Sequence, residues 1–312
     1  MDDPQWPRAS AWLADGGSPD PEDPLLAVLG VPLSQASISP SHAHTTPAAV
    51  RAALSRFSTL AALDEGATVD LASVRAVDLG DVVLEGLLND DAQMLVAGAV
   101  AEVFGSPALD RVPDLLVLLG GDNALTRPAM SAAVADLGSA GLLTLDAHHD
   151  VRGWHAGRTN GTPVRGLIDD GLPGANIVQI GLGMFTNAPA YRQYCDGQSV
   201  TTITAAQARR QGVASCVQAA LDRLAQRCDQ IYVDLDVDVL DAAFVPGCPG
   251  ARPGGLAPWE LHDSAMVAGR HPVVMALDVV EVDAQADESG TTVDIAALCL
   301  LAATAGLAQR PR

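Results

Sequence analysis

The chain has 312 residues, 38 acidic and 18 basic, which gives a formal charge of −20 with histidine neutral. That balance excludes the basic footprint of a nucleic-acid or anionic-membrane binder, and 48% hydrophobic residues exclude a disordered acidic chain. Every basic residue is arginine, so a Schiff-base or P-loop lysine is ruled out.

Residues 1–24 are acidic and Pro-rich where a signal peptide would be basic and then apolar, and they predict an extended N-terminal arm anchored by Trp6 and Trp12. Residues 25–312 predict a single domain. Its strand candidates are 25–31, 74–80, 114–120, 141–147, 176–183, 200–204, 230–240 and 273–282. Most are continuously apolar rather than alternating, as strands buried on both faces should be. Ala/Leu-rich stretches with helical spacing lie between them, so the expected class is α/β, a parallel sheet covered by helices on both sides. In SPSHAHTTPAAVR, Pro47 suits a helix start, and His42 and His44 read as surface histidines. No apolar run approaches the roughly 20 residues that span a bilayer. The five cysteines are odd in number and lack CxxC pairing, which fits buried thiols in a reducing cytoplasm.

Four strand candidates run directly into polar clusters, where ligand sites of such sheets lie. They end in Gly120-Gly121-Asp122-Asn123, Asp146-Ala147-His148-His149-Asp150, Asp236-Val237-Asp238 and Glu281-Val282-Asp283. If the chain runs on extended, Asp146, His148 and Asp150 project to one side and His149 to the other, as a packing histidine. Two carboxylates and an imidazole suit Mn²⁺, with Zn²⁺, Fe²⁺ or Co²⁺ as alternatives. Asp236 and Asp238 repeat the device on another strand and repel each other unless a cation or protons intervene. Asp234 and Asp241 crowd that segment, and one of them is expected to be structural.

Taken in order, GGDN, TLDAHHD, DLDVDVLDAAFVPG with Gly255, and LDVVEVD resemble the signature blocks of the ureohydrolase superfamily of arginases, agmatinases and formimidoylglutamases. The resemblance runs from about Val28 to about Leu307 and implies a three-layer α/β/α, arginase-like fold with a mostly parallel sheet of about eight strands. It also implies two Mn²⁺ ions, which make hydroxide available for attack on an amidino or imino carbon, and a trimer or hexamer. Asp146, His148, Asp150, Asp236 and Asp238 match metal-ligand positions. Glu281 matches the carboxylate that pairs with the cationic guanidinium or formimino nitrogen, and Asp150 and Glu281 are the implied catalytic residues. Two positions depart. Asn123 stands where a histidine ligand is usual, so one metal site is expected to be weak. Asp234 stands where Ser or Thr is usual.

The loop VRGWHAGRTNGTPVRGLI is similar to that of formimidoylglutamases in Asp150-Val151-Arg152 and in a GTPxR run, and it carries Asn160-Gly161 where arginases and agmatinases have His-Gly. The expected reaction is therefore hydrolysis of N-formimino-L-glutamate to L-glutamate and formamide, in histidine degradation. A substrate with two carboxylates needs guanidinium partners, and Arg152, Arg158 and Arg165 are the candidates, with Asn160, Phe185 and Asn187 on the same wall. The alternatives are an agmatinase or guanidino-acid hydrolase releasing urea, and a non-catalytic binding protein that keeps the fold.

Overall fold

The computed structural model describes residue 3 and residues 5–63, 66–105 and 109–311; residues 1, 2 and 4 of the expected arm lie outside that set. In chain order its elements are α1 (Ala9–Asp15), β1 (Leu25–Gly30), α2 (Thr46–Ala53), β2 (Leu60–Ala62), β3 (Thr68–Asp70), β4 (Arg75–Asp81), α3 (Asn89–Val103), β5 (Leu115–Leu119), α4 (Thr126–Ala133) and β6 (Ala140–Leu145). There follow α5 (Pro163–Asp169), β7 (Ile177–Leu182), α6 (Pro189–Gly197), β8 (Thr201–Thr204), α7 (Ala205–Gln211), α8 (Val213–Ala225), β9 (Gln230–Asp236), α9 (Pro258–Arg270), β10 (Val274–Val280) and α10 (Thr291–Leu307).

Eight of these strands form one sheet in the order β4-β1-β5-β10-β9-β6-β7-β8, all neighbours parallel. Every residue of β1, β5, β6 and β7 is buried, which is why their sequences show no alternation. One core layer joins the sheet to α1, α2 and α7–α10; the other joins it to α3–α6. Helix α8 shows how the spacing works: Val213, Val217, Ala220, Leu221 and Leu224 share the buried stripe. A Thr204–Gln207 capping box fixes the start of α7. The sheet thus bears out the expected three-layer architecture. Among the described residues, no helix is long and apolar enough to cross a membrane.

The expected arm needs one correction. Residues 9–15 are helical, not extended, and end at left-handed Gly16. Trp12 anchors this helix, its indole N–H donating to the Val74 carbonyl at 3.2 Å, whereas Trp6 stays exposed beneath Arg8. The β2–β3 antiparallel pair was not expected. The predicted start of α2 is found, with Pro47 in its first turn.

Candidate metal centre

The four strands with polar ends, β5, β10, β9 and β6, are adjacent in the middle of the sheet, so the four clusters meet at one edge. The strands themselves stop sooner than the sequence pattern suggests. β6 ends at Leu145, β9 at Asp236 itself and β10 at Val280, and the other site residues sit on tight turns just beyond. Asp146 accepts the His148 amide at 2.5 Å, and Asp236 accepts the Asp238 amide at 2.7 Å. These short turns, and not a continued extended strand, aim the side chains. Asp150 and Glu281 have φ of 51° and 65°, a left-handed conformation that costs a non-glycine residue roughly 1–3 kcal/mol and collects at functional sites. Close packing behind them leaves little slack. A Cβ on Gly121 would lie 1.7 Å from the Leu33 carbonyl oxygen, and the Gly121 carbonyl accepts the Glu281 amide at 3.0 Å.

At the centre, His148 Nδ1 lies 2.7 Å from Asp238 Oδ2 and 3.5 Å from Asp146 Oδ1. Burial alone would lower the imidazole pKa, but the charges of Asp238 and Asp146 push it up to about 12. The same imidazolium pulls Asp238 below its ordinary value against its burial. Asp146, buried and beside the Asp238 charge, is raised to about 7. Asp150 and Asp236, buried among the other carboxyls, stand well above the normal range. Too many buried carboxylates share too little positive charge. Asp146 Oδ2 is buried with no hydrogen-bond partner, and ligand atoms of Asp146, His148 and Asp238 lie within 4.8 Å of one another. An orphaned carboxylate oxygen and a mixed O/N donor set fit a divalent ion such as Mn²⁺.

Asn123 differs from its expected place among the ligands. Its Nδ2 donates to Asp150 Oδ2 at 2.7 Å and Asp236 Oδ2 at 3.3 Å, while its oxygen accepts from Thr126 at 2.7 Å. It braces two carboxylates by hydrogen bonds and presents no oxygen to the cluster. Asp234 is buried opposite Asp278 in the β9–β10 register, below the cluster, and is raised well above the carboxylate range by burial and by Asp278. Asp241 is the structural one, capping its loop by accepting Ala243 and Gly254 amides. His149 turns away, as expected, and pairs with Gln179 at 2.7 Å.

The cluster opens into a cavity of about 130 Å³ lined in part by Asp150, Asp236, Asp238, Glu281, Arg152, Asn160 and Asn187. Glu281 is raised to about 8 by burial and by nearby Asp122, although the Asn123 amide and Asn160 Nδ2 donate to its Oε1 at 2.8 and 3.0 Å. Arg152 packs along Gly161 and has no ion-pair partner among the described residues. Asn187 lines the cavity while it accepts the His149 amide and donates to the Ala147 carbonyl.

Two expected arginines are corrected. Arg165 stacks on Tyr194 at 3.9 Å and donates to the Val151 carbonyl, which uses its guanidinium to brace the loop. Arg158 is half-exposed and points to Asp90 at 3.8 Å. Neither lines the cavity, nor does Phe185, which is 98% exposed. His42 is exposed as expected, yet it contacts Asp283 at 3.2 Å. Residues the sequence did not disclose include Ser39, Ser41, Tyr191 and Arg252 on the cavity wall; Asp122, from the first polar cluster, accepts from the Ala36 amide and the Ser37 hydroxyl. Arg252 lies between the glycines of the third block, and its charge was the one available signal.

A parallel eight-stranded sheet that gathers buried carboxylates, an imidazole and a braced glutamate at its centre defines a metal-dependent hydrolase of the α/β/α class. The chain belongs to the arginase family, whose sequence profile matches residues 25–305. It is 34% identical over 274 residues to the formimidoylglutamase of Halalkalibacterium halodurans, covering 84% of this chain and 81% of that protein. It is 35% identical over 283 residues to the formimidoylglutamase of Halobacterium salinarum, covering 89% and 86%. The crystal structure of formimidoylglutamase from Bacillus subtilis superposes with a TM-score of 0.88 at 32% identity, covering all of this chain and 95% of that one.

Proposed function

We propose that this protein hydrolyses N-formimino-L-glutamate, water adding to the formimino carbon and the C–N bond breaking to give L-glutamate and formamide. The observation that carries this reading is one cavity lined both by Glu281, which suits a cationic nitrogen, and by Arg152, which has no ion-pair partner among the described residues and suits a carboxylate. Asp146, His148, Asp150, Asp236 and Asp238 would hold a Mn²⁺ pair, which supplies Lewis acidity and makes hydroxide accessible near neutral pH. Glu281 attracts the formimino group and stabilises the positive charge as the carbon becomes tetrahedral. Asn123 and Asn160 keep its Oε1 aimed into the cavity. Asp150, hydrogen-bonded through Oδ2 to Asn123, carries the proton to the leaving amine nitrogen. Arg152 orients the substrate by a bidentate grip on a carboxylate. Five free, buried cysteines support a reducing, cytoplasmic setting, and the resemblance supports a homo-oligomer.

The test is a panel of N-formimino-L-glutamate, agmatine, arginine and 4-guanidinobutyrate, assayed after Mn²⁺ loading. Glutamate and formamide from the first alone are expected. Urea from any guanidino compound, with no turnover of the first, overturns the reading. Loss of catalysis in Glu281→Gln with Mn²⁺ content unchanged separates an enzyme from a binding protein of the same fold.

A further inference from the structure

Arg152 is not alone. The cavity has a second arginine, Arg252, which comes from a different loop, the one that follows the Asp236–Asp238 turn. Its guanidinium is fixed from one side. Nη1 donates to the carbonyls of Pro249, Gly250 and Ala251 at 3.0, 3.2 and 2.7 Å, and no side chain neutralises it among the described residues. Its backbone is fixed too. Arg252 bridges to Asp241, and the Ala242 amide donates to the Arg252 carbonyl at 3.3 Å. Arg209 ties down the Gly254 and Gly255 carbonyls at 2.9 and 2.6 Å. The loop also rests on the cluster itself, since a Cβ on Gly250 would lie 2.4 Å from Asp238 Oδ2. Arg252 is therefore an exposed cation on the cavity wall whose guanidinium is held by its own loop.

Charge arithmetic says what such a cation is for. The cavity wall carries Asp150, Asp236, Asp238 and Glu281 in a chain of formal charge −20. A dication such as agmatine has no use for an arginine there, whereas a molecule with two carboxylates needs a cation to meet each of them. We infer that Arg252 is a specificity-determining residue: it binds one of the two carboxylates of the diacid substrate while Arg152 binds the other, so the cavity selects two-carboxylate amidines over those with one or none. This assignment rests on the substrate proposed above.

The experiment compares wild type, Arg252→Gln and Arg152→Gln, each loaded with Mn²⁺ and checked by thermal melting. Three substrates are used: N-formimino-L-glutamate, 4-(formiminoamino)butanoate, which lacks the α-carboxylate, and N-formimino-L-glutamine, which lacks the γ-carboxylate charge. Arg252→Gln should lose about 10²-fold in kcat/KM on the diacid, mostly through KM. It should lose less than about threefold on one of the two monoacids, which identifies the carboxylate it holds, and Arg152→Gln should show the opposite pattern. Inhibition by L-glutamate should weaken in parallel. An equal loss on all three substrates would mean that Arg252 only knits its loop, and an unchanged diacid KM would mean that it touches no substrate; either overturns the assignment while the proposed reaction stands. A wild type inert on the diacid but active on a guanidino compound overturns the reaction, and this assignment with it.

Discussion

The two ends of the central strands treat buried charge in opposite ways. At the N-terminal end, half-buried Arg310 is set among main-chain carbonyls. Its Nε, Nη1 and Nη2 donate to Gly269, Asp114 and Val274, each at 2.7 Å. Burial lowers its pKa to about 10, and the guanidinium stays charged and satisfied. At the C-terminal end, carboxylates outnumber their partners, Asp146 Oδ2 has none, and His148 serves as the one cation wedged between Asp146 and Asp238. A satisfied buried charge holds the fold together, whereas an unsatisfied one is held in readiness for a ligand.

The largest effect that would sharpen this contrast comes from Asp236→Asn, which should lower kcat/KM by about 10³-fold and abolish the thermal stabilisation by Mn²⁺. The metal-free variant should melt no lower than wild type, because one repelling carboxylate has gone. A metal-free Tm well below that of wild type would show that Asp236 is structural after all. Next is Arg310→Met at the other end. Three orphaned carbonyls should cost about 3 kcal/mol and several degrees of Tm, with kcat of the folded, Mn²⁺-loaded enzyme within about twofold of wild type. A large loss of kcat would break the division of labour between the two ends.

A smaller effect concerns pH. In the folded, metal-free chain Asp146 and Glu281 are raised to about 7 and about 8, above their unfolded values, so folding takes up protons there. Their stabilising contribution is present in acid and lost as pH rises through those values. From pH 7 to about 8 the Tm should therefore fall, and above that it should level off. His149, His262 and His271, all lowered by burial, are already neutral in that window. Glu281→Gln should flatten the slope, and equal slopes would refute the assignment. The smallest effect is Asn123→His. A ring nitrogen among Asp150 and Asp236 adds a donor where the amide gives only N–H groups, so the Mn²⁺ dissociation constant should fall several-fold in metal titrations. Identical titrations would leave residue 123 as a brace only.

The sequence disclosed the six inner strands because both-face burial writes itself as nearly unbroken aliphatic runs, and the edge strands β4 and β8 as short β-branched or mixed runs beside them; it disclosed the cluster because carboxylates at strand ends are conspicuous. Four things stayed hidden. The helix at Ala9–Asp15 is a single short segment whose order comes from Trp12 docking on Val74, a contact 62 residues away. The duties of Arg158 and Arg165 depend on whether Asp90 or Tyr194 happens to stand nearby, which adjacency in the chain does not reveal. Arg252 was overlooked for the same reason in reverse, since it reaches the cavity only because its loop folds back over Asp238. The orientation of the Asn123 amide is likewise set by Thr126 and Asp150 together.

The sheet order also governs timing. Strand β10 lies between β5 and β9, yet it is the last strand in the sequence. While the ribosome is still making residues 274–280, β5 and β9 cannot be joined, and Asn123 and Asn160 still lack the Glu281 that they brace. The nascent polypeptide can pair β6 with β9 and bring Asp146, His148 and Asp238 together, but it cannot complete the cavity that needs Glu281. The reaction chamber is finished only when synthesis is nearly complete and β10 takes its place between β5 and β9.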